Sequence, residues 1–223
     1  MLKDKRMALI CEMVREGVTV CDVGTDHAYV PVELILSGKA PRCIITDISA
    51  PSLEKGVKNA KMAGCGDKIA SYCTSGTIGV PLEAKTDIVI AGMGGELIAE
   101  ILNQDGRLKE KELRFVLQPM SKAEVLRSYL AENGFLITDE ARVEEGGRVY
   151  TVILCQYTGE NYTLTDKELW LGRIERAEQP IDAVYREKVI KSLKVKLSGI
   201  ESAENRDENA IVRLKELICT LNE

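Results

Sequence analysis

One ten-residue segment, Val20-Cys-Asp-Val-Gly-Thr-Asp-His-Ala-Tyr29, combines a β-branched run, a glycine turn and two carboxylates. A glycine directly after a strand lets the backbone approach a ligand, and the following helix N-terminus favours anionic groups. A dinucleotide pyrophosphate, however, requires the pattern GxGxxG, and this chain has Asp26 where a phosphate-binding glycine would stand. A carboxylate there repels phosphates and can receive an ammonium. The segment therefore favours a zwitterionic ligand such as the methionine moiety of S-adenosylmethionine.

Two further predicted strand ends suit a nucleoside. Asp47 follows the second predicted strand about 20 residues later, where nucleotide-binding folds place an acid for the ribose hydroxyls. The fourth predicted strand ends in Ile90-Ala-Gly-Met-Gly-Gly-Glu96, whose glycines can expose carbonyls and amides to a flat base. Two alternatives stay open: Asp22 and Asp47 only end strands, and the glycine run is only a flexible turn into a helix.

Other side chains near these segments have two interpretations each. His27 either orients Asp26 and contacts a substrate, or caps the helix start and fills the wall. Tyr29 either stacks on a base or belongs to the core. Gln118 and Pro119, after the fifth predicted strand, either line the pocket or only turn the chain.

The elements that must position these residues alternate between strand and helix. Short apolar runs at 18–23, 42–46, 68–73, 87–91 and 112–117 are separated by helical patterns, and we expect the fourth strand to end at Gly92. Such βαβ units form a parallel sheet. Two last strands, Phe135–Val143 and Val149–Tyr157, flank a Glu-Glu-Gly-Gly turn and predict an antiparallel hairpin at the sheet edge. By analogy of fold, this α/β arrangement is typical of Rossmann-like class I methyltransferases rather than dehydrogenases.

Composition limits the class of protein. The 223 residues carry a formal charge of −5 and are 45% hydrophobic, as in an ordinary globular protein. No stretch approaches the roughly 18 apolar residues that cross a bilayer, and the N-terminus has no signal-peptide pattern. The seven cysteines form no CxxC pair and there is one histidine, so we expect buried thiols in a reducing cytoplasm and no metal site. The oligomeric state stays open, with a monomer favoured.

Beyond Tyr157 long charged helical stretches replace the strands. Thr165 and Glu168 have the spacing of a capping box, and Pro180 fits the first turn of the next helix. Narrow apolar stripes predict an all-helical, coiled-coil-like domain at 159–223, after an α/β domain at 1–158. The two predicted domains carry formal charges of −3 and −2. One predicted helix is nevertheless locally basic, because it has five cationic residues and a single acidic one, Glu187. The five are Arg186, Lys188, Lys191, Lys194 and Lys196. That run indicates either a nucleic-acid contact or a solvated helix face.

Together the motifs DVGTDHAYVPVEL, TDIS, IAGMGGELI, LQP and RVYTVI resemble the bacterial tRNA (adenine-N1)-methyltransferase family that modifies adenine 22 in the D-arm. The resemblance extends from the first helix to about residue 157. It implies a class I methyltransferase fold, S-adenosylmethionine as donor and tRNA as acceptor. The chain departs from the family at Ser75-Gly76-Thr77-Ile78, where members usually read GDGL and supply an acid to the cofactor's adenine amino group. Ser75 or nearby backbone groups would have to substitute.

The motifs and the resemblance together give three sets of expected site residues. The expected catalytic residues are Asp26, Gly92 and Met93. The expected cofactor-binding residues are Asp22, Gly24, Thr25, Asp26, His27, Asp47, Ile48, Ser75, Gly76, Ala91 and Gly92. The expected substrate-binding residues are His27, Tyr29, Gly94, Gly95, Gln118, Pro119, Arg186, Lys188, Lys191 and Lys194, supplemented by Lys3, Lys5 and Arg6.

Two other classes of function remain open at this point. One is a noncatalytic RNA-binding scaffold on a methyltransferase fold, which the missing GDGL acid suggests. The other is a methyltransferase for proteins or small molecules, which would not need the basic helix. Binding of S-adenosylmethionine separates the first from an enzyme, and the identity of the methylated product separates the second from a tRNA methyltransferase.

Overall fold

The computed structural model describes residues 4–110, 112–173, 179–203 and 205–223. Their contacts divide the chain into two compact units, Met1–Tyr162 and Thr163–Glu223. The backbone amide of Tyr162 donates to the carbonyl of Ala131 at 3.1 Å, so the segment after the last strand still packs on the first unit. The division therefore lies a few residues beyond the predicted position at 158/159.

The first unit alternates strands and helices, as its hydrophobic pattern predicts. In chain order its elements are α1 (Lys5–Met13), β1 (Thr19–Val23), α2 (Tyr29–Leu36), β2 (Cys43–Asp47), α3 (Ala50–Met62), β3 (Ile69–Cys73), β4 (Thr86–Gly94), α4 (Gly95–Gln104), β5 (Arg114–Ser121), α5 (Ala123–Glu132), β6 (Phe135–Glu145) and β7 (Arg148–Tyr157).

These strands form one seven-stranded sheet in the order β3-β2-β1-β4-β5-β7-β6. The first five strands of the chain pair in parallel, whereas β7 is antiparallel to both β5 and β6. The structure thus confirms a Rossmann-like parallel sheet that ends in an antiparallel hairpin. Because β1 reverses the direction in which strands are added, the carboxyl ends of β1 and β4 border the crevice where ligands bind in open α/β sheets.

The end of β4 differs from the prediction. The strand does not stop at Gly92 but continues to Gly94, with register irregularities at Ala91/Met93 and Met93/Gly94. Pairing with β5, which itself runs to Ser121, extends the strand through a glycine-rich stretch that by local preference would turn. The irregularities change the direction of the backbone at the sheet's carboxyl edge.

Apolar side chains pack on both faces of the sheet, and one ion pair is buried among them. Arg127 of α5 donates from Nε and Nη2 to the Glu140 carboxylate of β6, at 2.9 and 2.8 Å. Both side chains are completely buried. The pair therefore ties α5 to the edge hairpin, and neither charge can reach water if its partner is removed.

We expect Arg127→Met to lower the free energy of unfolding by about 3–5 kcal/mol, because the buried Glu140 carboxylate would lose the Arg127 guanidinium. Urea denaturation measures the change. The double variant Arg127→Met, Glu140→Leu removes both charges and should recover part of the loss. A single variant within about 1 kcal/mol of wild type would contradict the importance of this pair.

The second unit is helical, with α6 (Asp166–Leu171), α7 (Pro180–Glu201) and α8 (Glu208–Asn222). The predicted capping box at Thr165 and Glu168 is present, and Pro180 begins α7 as expected. Apolar side chains of the three helices form a small separate core around Ile190, Leu193, Leu214, Ile218 and Leu221. In the part of the chain that the structure describes, no helix is both long and apolar enough to cross a membrane.

The seven cysteines are all free thiols. Cys21, Cys43, Cys65 and Cys155 are buried, as predicted. The prediction is wrong for Cys73 and Cys219, which are exposed because Cys73 ends the edge strand β3 and Cys219 lies on the outer face of α8.

Candidate active site

The turn between β1 and α2 is held against the neighbouring strand. The amides of Gly24 and Thr25 both donate to the Thr46 carbonyl of β2, at 2.8 and 3.1 Å. Gly24 has a φ of +76°, and the Met93 side chain occupies the space that a Cβ at position 24 would need. Ala28 also has a positive φ of 54°, uncommon outside glycine. The positive φ therefore favours glycine at 24, and the two backbone hydrogen bonds hold the turn against β2.

That turn presents Asp26, His27 and Tyr29 to solvent. The Asp26 side chain is 59% exposed, with His27 Nε2 3.1 Å from one carboxylate oxygen and Lys55 Nζ 3.3 Å from the other. The His27 ring stacks on Tyr29 with centroids 5.2 Å apart. Tyr29 is 47% exposed, so its interpretation as a core residue is wrong: α2 begins at this residue and turns its ring outward.

A cavity of about 350 Å³ lies between this turn, α1 and the end of β4. It brings together residues from the first thirty positions of the chain and residues 91 and 92 of β4. Its lining consists of Arg6, Met7, Ile10, Asp22, Gly24, Thr25, Asp26, His27, Ala28, Tyr29, Val30, Ala91 and Gly92. The predicted glycine turn and the predicted β4 end therefore share one cavity.

Gln118 holds the β4 side of the cavity through hydrogen bonds to Gly92 and Arg6. Its side chain is fully buried, and its Oε1 accepts from the Gly92 amide at 3.2 Å and from Arg6 Nη1 at 3.1 Å. Arg6 also lies over the Tyr150 ring, 5.5 Å from its centroid. Gln118 thus positions other groups rather than lining the cavity itself, and Arg6 presents a guanidinium beside the Gly92 backbone.

Asp22, at the end of β1, is a buried carboxyl in the cavity wall. Burial raises its pKa to about 7, and a hydrogen bond with the Thr25 side chain opposes this shift without cancelling it. The Thr25 hydroxyl also accepts from the Ala28 amide at 3.1 Å, which locks the turn around Asp22. A cation brought to this wall would favour the ionised carboxylate, since opposite charge lowers a carboxyl pKa.

The ends of β2 and β3 form a second, more open region. The Asp47 carboxylate accepts from the Ser49 amide through Oδ1 at 2.7 Å, and Ile48 is 77% exposed. The Thr74 amide donates to the Asp47 carbonyl at 3.0 Å, and the Gly76 carbonyl accepts from the Thr46 hydroxyl at 2.8 Å. These bonds hold the end of β2 beside the loop that contains Ser75 and Gly76, and Asp47, Ile48, Ser75 and Gly76 stay a predicted binding region.

Several expected residues lie elsewhere. Gly95 is buried where a Cβ would collide with the Lys122 carbonyl, so helix packing explains the glycine, and Gly94 packs beside Ser121. Met93 covers Gly24, and Pro119 is buried in β5. The residues that line the cavity do not include Met93, Gly94, Gly95 or Pro119. The basic run of residues 186–196 belongs to α7, in the second unit. The backbone amide of Lys5 donates to the Glu145 carboxylate, and Lys3 lies outside the described residues.

Sequence reasoning missed the position of α1 in the cavity wall. Arg6, Met7 and Ile10 line the cavity, whereas Arg6 was expected only as a supplementary tRNA contact near the active-site face. One signal was present: Arg6 precedes the buried Ile10 by four residues, and residues four apart share a helix face.

Comparison with known proteins agrees with this geometry. A family profile described as "Methyltransferase domain" matches residues 3–153. A tRNA (adenine(22)-N(1))-methyltransferase of Bacillus subtilis is 31% identical over 153 residues, which are 68% of this chain and 64% of the relative's length. A candidate tRNA methyltransferase of Mycoplasma pneumoniae is 33% identical over 174 residues, covering 75% of this chain and 78% of that protein.

A solved structure covers the whole chain. The candidate tRNA (m1A22) methyltransferase of Streptococcus pneumoniae, in complex with S-adenosyl-L-methionine, superposes with a TM-score of 0.83 at 28% identity over 100% of both chains. The likeness thus includes the helical second unit as well as the sheet. The chain belongs to the methyltransferase domain family and, within it, to the bacterial tRNA methyltransferases.

Proposed function

We propose that this protein transfers the methyl group of S-adenosylmethionine to N1 of adenine 22 in the D-arm of a bacterial tRNA, acting in the cytoplasm. The observation that carries the proposal is the single cavity shared by the 24–28 turn and the end of β4. A cavity that touches both elements can hold a donor and an acceptor side by side. The methyltransferase domain and the named relatives support S-adenosylmethionine as the donor and a tRNA adenine as the acceptor.

The residues at the ends of β1 and β2 fit the donor. Asp22 and Asp26 supply carboxylates for the ammonium of its methionine end, and Gly24 lets the donor approach the backbone. Asp47 uses one oxygen for the Ser49 amide, which leaves the other for ribose hydroxyls. When bound, S-adenosylmethionine supplies an electrophilic methyl group.

The acceptor needs alignment more than a base. Adenine N1 has an in-plane lone pair, so the protein must mainly hold it in line with the methyl group, a proximity effect worth several kcal/mol. N1 lies on the Watson–Crick edge, and the nucleotide must be unpaired or flipped to enter the cavity. We assign the Gly92 backbone and Asp26 to the region of the reacting atoms, with Arg6, His27 and Tyr29 around the base. Met93 packs against Gly24 behind this region.

We assign tRNA backbone contacts to the second unit and catalysis to the first. On α7, Lys191 and Lys194 are exposed while Ile190 and Leu193 pack inward. Within the described residues, Lys191, Lys194 and Lys196 form no ion pair with a carboxylate. Phosphates supply most of the affinity of proteins for nucleic acids, so such a lysine surface suits a tRNA backbone.

Incubation of unmodified tRNA with the protein and methyl-labelled S-adenosylmethionine tests the proposal. Nucleoside analysis should find the label in 1-methyladenosine. A scaffold would bind tRNA without incorporating label, and a protein or small-molecule methyltransferase would leave the RNA unlabelled. Either result would refute the proposed function.

The raised pKa of Asp22 gives a second prediction. Below pH 7 this carboxyl is largely protonated, so a ligand ammonium that pairs with it must displace a proton. The affinity for S-adenosylhomocysteine should therefore rise as pH increases towards 7 and level off above it. Calorimetry at pH 6 in buffers of different ionisation enthalpy measures the proton release, which Asp22→Asn should abolish. Equal proton release in wild type and Asp22→Asn would contradict the pairing.

A further inference from the structure

One peptide unit in the turn between β1 and α2 is held at both of its polar ends. The His27 carbonyl accepts a hydrogen bond from Asn59 Nδ2 of α3 at 3.0 Å. The amide on the other side of the same peptide bond, that of Ala28, donates to the Thr25 hydroxyl at 3.1 Å. Because a peptide unit is planar, these two bonds together fix its orientation.

The orientation that they fix is unfavourable for alanine. Ala28 has a φ of 54° and a ψ of 31°, in the left-handed region. A residue with a Cβ is disfavoured there, because the Cβ crowds the following carbonyl oxygen. Such a conformation persists only where the surrounding structure determines it, and it is concentrated at functional sites. The hydrogen bonds of Asn59 and Thr25 supply that determination.

Helix α3 can supply the Asn59 donor because it lies close to the turn. A Cβ added at Gly56 would come within 3.3 Å of the Ala28 Cβ. Asn59 follows Gly56 by three residues and Lys55 by four, so the three positions share the helix face that meets the turn. The contact of Lys55 Nζ with the Asp26 carboxylate, at 3.3 Å, belongs to the same face.

The conformation of Ala28 decides where its neighbours point. The rings of His27 and Tyr29 stack across Ala28, and His27 Nε2 lies 3.1 Å from the Asp26 carboxylate. A rotation of the peptide between residues 27 and 28 would move the His27 ring relative to both partners. Asp26, His27 and Tyr29 all line the cavity, whereas Asn59 is not among its lining residues. The amide of Asn59 therefore controls, through the backbone, which groups the cavity presents.

We propose that Asn59 is a positioning residue for methyl transfer, which keeps the 27–28 peptide in the orientation that holds Asp26, His27 and Tyr29 at the cavity. It acts through the turn rather than by contact with a substrate. The role in methyl transfer rests on the proposed function, whereas the effect on the turn does not depend on it.

Two substitutions of Asn59 test the effect on the reaction. Leucine removes the hydrogen-bonding groups, and an ionised aspartate keeps the shape but can only accept hydrogen bonds. Both variants should lower the single-turnover rate of methyl transfer to tRNA by about tenfold, the effect of leaving a part-buried carbonyl unpaired. Lys58→Leu, at the neighbouring exposed position on α3, is the matched control and should keep the wild-type rate.

The imidazole of His27 gives a second readout that requires neither tRNA nor a methyl donor. His27 is the single histidine of the chain, so its ring protons report on this turn alone in a proton NMR spectrum. Their signal should move in both Asn59 variants, because the ring leaves its stack on Tyr29, and should stay in place in Lys58→Leu. A general loss of stability would not move the signal while the protein stays folded, which circular dichroism checks.

A second-site change separates this role from a general loss of packing. Glycine adopts the left-handed conformation without the cost that alanine incurs, so Ala28→Gly in the Asn59→Leu background should raise the rate at least about threefold. A wild-type rate or a wild-type His27 signal in the two Asn59 variants would overturn the inference, as would a double variant no faster than Asn59→Leu. A wild-type chain that transfers no methyl group would instead overturn the proposed function, and the His27 signal would still decide whether Asn59 holds the turn.

Discussion

Replacing Asp26 with Ala is expected to lower the rate of methyl transfer to tRNA by at least about 100-fold, the scale on which a positioned charge contributes to catalysis. The carboxylate lines the cavity and faces solvent, and its ion-pair contacts are with His27 Nε2 at 3.1 Å and Lys55 Nζ at 3.3 Å. It is therefore available to a ligand ammonium and to the amino group of adenine as positive charge develops. Single-turnover transfer of labelled methyl groups measures the loss.

The Asp26→Ala protein should remain folded, because the exposed side chain takes no part in the core. Circular dichroism and thermal melting check this point. Asp67→Ala removes another exposed carboxylate that is not among the lining residues of the cavity, and it should keep full activity. Turnover retained in Asp26→Ala would refute a central role for this residue.

Reversing the charge of Lys188, Lys191 and Lys194 to Glu should weaken tRNA binding on the order of 100-fold at moderate salt, with a salt dependence shallower by about 2–3 in log–log slope. The exposed lysines of α7 would then repel phosphates instead of displacing counterions from them. Affinity measured by filter binding or fluorescence across a salt series gives both quantities. The affinity for S-adenosylhomocysteine should not change.

A matched triple variant distinguishes a specific surface from net charge. Lys58→Glu, Lys61→Glu and Lys68→Glu make the same change in total charge on exposed residues of the first unit. This control should lose much less tRNA affinity than the α7 variant. Equal losses of tRNA affinity in the two triple variants, or no loss in the α7 variant, would refute the assignment of the tRNA contact to α7.

The sequence predicts the architecture well where local pattern and tertiary pairing agree. The alternation of apolar strands with helices, the Gly-Gly turn before β7 and the capping box at Thr165 each depend on residues close together in the chain. The end of β4 is different. Glycines at 92, 94 and 95 predict a turn, but pairing with β5 extends the strand to Gly94. Pairing with a neighbouring strand overrides the local turn preference there, and the local sequence pattern does not reveal that pairing.

The candidate site follows the same division. The DVGTDHAY segment places Asp22, Gly24 and Asp26 together because they follow one another at the end of β1 and in the turn after it. Arg6 is 112 residues from Gln118, and their contact arises only when α1 packs beside the ends of β4 and β5. The hydrogen bond from Ser75 to Gln104 likewise joins a loop to a helix residue 29 positions later. Contacts of this kind depend on the fold, so composition and spacing do not expose them.

The position of the methyl group on tRNA tests the central claim most directly. After incubation with the protein and S-adenosylmethionine, an unmodified tRNA transcript is reverse-transcribed, because a methyl group on N1 blocks Watson–Crick pairing and stops extension. The account predicts a stop at adenine 22 that requires the donor and disappears in a transcript with guanine at that position. A stop at another nucleotide, or labelling that persists when adenine 22 is replaced, would contradict it.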